Sequence, residues 1–156
     1  MKSIRLFTLA SIVLLLLGFL AACGGASATA TPDPNAAKPS NPGGTGKALT
    51  LKGDASNGEK IFANSCAQCH GDQGKGGITN PGSTDGTIPP LNPIDETLAN
   101  KDPKVFAANI DLFIEHGSTP EGPNPSKSML QFGDSNLLQP QEIADVIAYV
   151  ISLNEK

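Results

Sequence analysis

The sequence predicts an all-α domain in which three main helices are joined by long loops that wrap around a bound object. Three observations predict it. Helix caps and apolar spacing coincide at three places after residue 51. Two long Gly/Pro-rich stretches separate them, and such loops are out of place in an ordinary bundle. Aromatic residues are also scarce. The 156 residues hold one Tyr, six Phe and no Trp, against 17 Gly and 13 Pro. Aromatics usually supply much of a small core's buried area, so another group must help to fill the interior. One ordinary domain fits this length.

The chain begins with an address. Lys2 and Arg5 precede a 17-residue apolar run, 6–22. A membrane-spanning helix wants about 20 apolar residues, and the short run ending in small residues reads as a signal peptide. Leu20-Ala21-Ala22-Cys23 resembles the bacterial lipobox. That resemblance implies a lipidated Cys23 at the mature N-terminus and an extracytoplasmic, lipid-anchored protein. It would sit on the outer face of the cytoplasmic membrane or on the periplasmic side. Plain secretion and an uncleaved anchor are the alternatives. Of residues 24–50, 23 are Gly, Ala, Ser, Thr, Pro or Asn. Such composition offers too little apolar surface to offset its ordering entropy. The reading is therefore a signal at 1–22, lipidated Cys23 and a flexible tether at 23–50, and a folded domain at 51–156. As a random coil the tether would span roughly 30 Å.

Within the domain, a first helix begins near Asp54 and runs through Ile61 and Phe62 to Cys66. Asp102 can cap a second, with Pro103 in its first turn and Gly117 at its end. Phe106, Ile110, Phe113 and Ile114 give that helix one apolar face. A third starts at Pro140, where Ile143, Val146, Ile147 and Val150 form an i, i+3, i+4, i+7 stripe. The loop-rich stretches are 71–100 and 118–139.

Beyond Cys23 the chain carries nine basic against 15 acidic side chains. With no basic cluster, it is a poor nucleic-acid binder and lacks a polybasic membrane patch. The acidic balance favours partners with basic docking surfaces.

The chemistry lies in Cys66-Ala67-Gln68-Cys69-His70. C-x-x-C-H is the attachment signature of c-type haem. Two thiols one turn apart can add to the two vinyl groups on one haem edge, and the adjacent imidazole then faces the iron. A thioredoxin-like pair would want a βαβ context, and zinc would want four ligands, drawn from Cys66, Cys69, His70 and His116. A plain disulfide is the third alternative in an oxidising compartment.

Residues 52–156 resemble the class I monohaem c-type cytochromes. The resemblance rests on Gly58-Glu59-Lys60-Ile61-Phe62 leading into Cys66-Ala67-Gln68-Cys69-His70-Gly71. It continues through Pro89-Pro90-Leu91, Ser128-Met129-Leu130-Gln131-Phe132-Gly133 and Ile143-Ala144-Asp145-Val146-Ile147-Ala148-Tyr149-Val150. It implies a small cytochrome c-like fold with one haem c attached through Cys66 and Cys69. It also implies that the first and last helices cross, with Gly58 and Phe62 meeting Tyr149. Pro89 and Leu91 match the family's P-x-L pattern, in which the proline carbonyl accepts a hydrogen bond from the axial histidine. An ordinary loop proline is the plainer reading.

Met129 is the one methionine left after removal of the N-terminal segment. If a thioether is the sixth ligand, Met129 must supply it, and it stands where the family's ligand methionine stands. The family commonly follows that residue with proline, and here Leu130 follows. Core gap-filling is the other use of such a methionine. His116 is the rival ligand, although a histidine just before a helix-ending glycine is usually solvated and interacts with the helix's negative end. A vacant sixth position is the third option.

Function follows as an expectation: a membrane-tethered electron carrier between redox protein partners, its iron cycling between Fe(III) and Fe(II). The alternative is a haem subunit bound permanently in a larger respiratory or photosynthetic complex. The long tether favours the mobile carrier. No acid–base or nucleophile cluster suggests an enzyme.

Overall fold

A computed structural model describes residues 30–155. The signal segment 1–22 and Cys23 lie outside the described residues. Among the described residues four α-helices carry the domain: α1 (Ala55–Ser65), α2 (Ala67–His70), α3 (Pro103–His116) and α4 (Pro140–Asn154). Short 3-10 turns occupy Lys47–Thr50 and Asp72–Gly74. Among the described residues there is no strand, only the isolated bridges Thr79–Thr87 and Ser118–Met129. No helix among them is long and apolar enough to cross a membrane.

Local chemistry explains the helix ends. The Asp54 side chain accepts from the amides of Ser56 and Asn57 and starts α1. Asp102 accepts from Lys104 N, with Pro103 at the first position of α3. Gly117, at φ +65°, ends α3 in a backbone conformation that favours glycine. At α4 the Glu142 carboxylate accepts from the Gln139 amide at 2.7 Å. α2 adds a turn that begins at Cys66, where α1 stops.

α1 and α4 cross and form the centre of the packing. A Cβ at Gly58 would overlap the Asp145 carbonyl, so only glycine allows this approach. The Phe62 and Tyr149 rings lie 5.3 Å apart at 60°, a tilted arrangement that aromatic pairs favour. Phe62, Ile143, Val146 and Val150 are almost wholly buried, and Phe106, Ile110 and Ile114 of α3 complete the core. The Asp145 carboxylate, 3% exposed, ties the crossing together. It accepts from Asp54 N at 2.9 Å, Asn57 Nδ2 at 2.7 Å and Gln141 Nε2 at 2.8 Å.

Residues 30–50 depart from the expected free tether. Asp33 N donates to Asn109 Oδ1 at 2.9 Å, and Gly46 N donates to the buried Asp111 Oδ2 at 2.6 Å. Ala36 and Ala48 are buried. Composition suggested no order because few apolar groups are available, but here backbone amides dock on polar side chains of α3. Such bonds hold a segment without an apolar face of its own.

Candidate functional site

Cys66 ends α1, and Cys69 and His70 close the single turn of α2. The two thiols are free and half-buried, one helical turn apart. Burial, and then the neighbouring Cys69, push the Cys66 thiol pKa up to about 12. No group of three or more His, Cys, Asp or Glu side chains among the described residues is placed to hold a metal ion. That leaves the zinc alternative without its ligand set.

His70 Nδ1 donates to the Pro89 carbonyl at 3.0 Å. With Nδ1 carrying the proton, Nε2 keeps its lone pair and is the nitrogen free to bind iron. Burial lowers the His70 pKa, outweighing the opposite effect of the Pro89 bond. The shift favours the neutral imidazole, the form that binds a metal. Pro89 itself is held by its surroundings: Leu91 N and Asn92 N both donate to Gly74 O, at 2.7 and 3.0 Å. Leu91 is half-buried against the core, and its carbonyl accepts from Asn154 Nδ2 at 2.9 Å.

Met129 comes from the other long loop and is positioned separately. It is half-buried and packs, like Cys66, Leu91 and Phe132, against the helical core. Its backbone pairs with Ser118 in both directions, Met129 N to Ser118 O at 2.8 Å and Ser118 N to Met129 O at 3.2 Å. The two thiols and the imidazole suit a flat apolar group attached at Cys66 and Cys69 and bound through His70.

His116 is not a solvated helix-end residue. It is 7% exposed, and both ring nitrogens are engaged. Nδ1 donates to Asp134 Oδ2 at 2.8 Å and Nε2 donates to Gly44 O at 2.7 Å. Both partners are acceptors, so the imidazolium satisfies them best. Burial alone would lower its pKa, but the Asp134 and Gly44 bonds and the charges of Asp134 and Glu115 raise it. A ring committed at both nitrogens has no lone pair for iron.

Asn80 is a residue that sequence reasoning missed. Wholly buried, it donates from Nδ2 to Lys127 O at 3.0 Å, and its Oδ1 accepts from Lys127 N at 2.9 Å. Its amide thereby joins the two long loops two residues before Met129. An Asn-Pro pair in a loop gives no hint of a partner 47 positions away. Asp111 was missed too, although polar Asn109 and Asp111 within the apolar run of α3 are a legible signal.

The family model described as Cytochrome c matches residues 55–154. No curated protein and no solved structure matches the chain significantly.

Proposed function

This chain belongs to the cytochrome c family, and on that premise we propose that it is a membrane-tethered class I monohaem carrier. It would pass electrons between extracytoplasmic redox proteins, with His70 and Met129 as the axial ligands. The family carries haem c covalently, and Cys66 and Cys69 of the C-x-x-C-H segment are the attachment thiols. Haem c, when bound, supplies an iron that accepts and releases one electron at a time. The chain's residues fix its surroundings. Cys66 and Cys69 anchor one edge, and His70 presents Nε2. The Pro89 carbonyl orients the ring and raises its donor strength. A Met129 thioether would supply a ligand that favours a higher potential than a second imidazole would. Leu91, Phe132 and the helical core would supply apolar surface to the bound haem.

The observation that carries this reading is the 3.0 Å bond from His70 Nδ1 to Pro89 O, on a helical turn bearing two free thiols. The test is the visible spectrum of the oxidised protein. A weak far-red band from sulfur–iron charge transfer is expected. Met129→Ala should abolish it and lower the potential; if band and potential are both unchanged, the ligand assignment is wrong. Mass spectrometry tests the anchor, and an unmodified Cys23 thiol would refute it.

The docked segment 30–50 bears on the second reading, a permanent subunit of a larger complex. From Cys23 to Ala30 the chain reaches at most about 25 Å, whereas a free tether through residue 50 would reach about 80 Å when fully extended. Reach therefore does not favour the mobile carrier. Co-purification with membrane subunits separates the two readings.

A further inference from the structure

The segment 40–46 has no place in haem attachment, yet it is built onto the stretch that holds Met129. Ser40 N donates to Ser118 Oγ at 3.1 Å, and Ser40 Oγ accepts from Thr119 N at 2.8 Å. Asn41 Nδ2 donates to His116 O at 2.7 Å. Gly44 O accepts from His116 Nε2 at 2.7 Å, and Gly46 N donates to Asp111 Oδ2 at 2.6 Å. The fit is close, since a side chain at Gly43 would overlap the His116 ring.

On its other side the same stretch, 114–118, holds the methionine loop. Ser118 and Met129 exchange both backbone bonds. Phe132 N donates to Ile114 O at 3.0 Å, and Asp134 N donates to Glu115 O at 3.0 Å. Gly117 lies so close to Met129 and Leu130 that any Cβ there would overlap their backbone. His116 spans the layers directly, with Gly44 on one nitrogen and Asp134 on the other.

We propose that residues 40–46 form a strap that positions Met129: docked on His116, Ser118 and Thr119, it stiffens the segment to which the Met129 backbone is paired. This rests on the reading of Met129 as the sixth ligand. The strap bonds to His116, Ser118 and Thr119 and acts on Met129 through them, so Ser40, Asn41 and His116 are positioning residues. When the strap is loosened, the segment 116–119 loses its outer support. The Met129 loop then yields more readily, and an added ligand displaces the thioether at lower concentration.

The test uses the full haem-loaded chain, with imidazole as the competing ligand and the far-red sulfur–iron band as the readout. Ser40→Ala removes one exposed bond and should lower the displacing imidazole concentration about threefold. His116→Gln disrupts both layers and should lower it about tenfold. Asp145→Asn, which weakens the distant α1–α4 crossing, controls for general destabilisation and should leave the imidazole concentration unchanged. Amide exchange at Gly46 should quicken in His116→Gln, reporting strap release. If the strap is released and imidazole competes as in the wild type, the inference is wrong. It is equally wrong if Asp145→Asn shifts the competition as far as His116→Gln does. A wild-type protein without the far-red band would instead remove the Met129 reading, and the inference with it.

Discussion

Asp145→Ala should open the crossing of α1 and α4. The buried carboxylate accepts from Asp54 N at 2.9 Å, Asn57 Nδ2 at 2.7 Å and Gln141 Nε2 at 2.8 Å. Hydrogen bonds to a charged group contribute about 1.5–3 kcal/mol each. Asp54, Asn57 and Gln141 are all exposed residues bonded at a partly buried site, so the three donors regain part of their hydration when their acceptor goes. The expected loss is therefore about 2–4 kcal/mol rather than the full sum. Asp145→Asn keeps the shape and one acceptor oxygen and should cost about 1 kcal/mol. Urea unfolding of the haem-loaded protein, followed by helical circular dichroism, measures both. The pH dependence has a definite sign. Burial alone would raise the Asp145 pKa, but the bonds from Asn57, Asp54 and Gln141 hold it below 3.8. Its contribution is present above that value and fades as pH falls through the depressed one. The gap between wild type and Asp145→Ala should narrow in acid. Equal urea midpoints at neutral pH, or a gap unchanged at low pH, would refute the reasoning.

Three further outcomes are expected. Gly58→Ala forces a Cβ onto the Asp145 carbonyl and should cost at least about 2 kcal/mol; the thermal midpoint should drop by about 10 °C. Asp111 behaves oppositely to Asp145. Burial outweighs the Gly46 bond, Glu115 adds to it, His116 opposes it, and the pKa rises from 3.8 to about 6. Its stabilising effect is complete below 3.8 and is lost as pH rises through about 6. Wild type should thus lose about 3 kcal/mol relative to Asp111→Asn between acid and neutral pH, and parallel pH–stability curves would contradict this. Removing the haem should leave a largely unfolded chain, which native-like circular dichroism of the apoprotein would disprove.

The sequence by itself determined the parts written in local codes. Asp54, Asp102 and Pro103 mark where helices start, because a cap acts on amides two or three residues away. Cys66, Cys69 and His70 stand together because one helical turn must present two thiols and an imidazole side by side. Apolar spacing in 140–153 showed which face of α4 is buried. Other features joined residues far apart in the chain, and only the tertiary structure decided them. His116 reads locally as a solvated helix end, but it is buried under Gly44, 72 positions earlier. Residues 30–50 read as a free tether because their composition lacks apolar surface. They are held instead by amide bonds to Asn109, Asp111 and Ser118, 65 to 78 positions away. Asn80 finds Lys127 across two loops without any periodicity to announce it. Periods and caps report what a segment does to itself. A polar side chain that satisfies a distant backbone leaves no pattern in the chain, because its partner is chosen only when the loops close over the core.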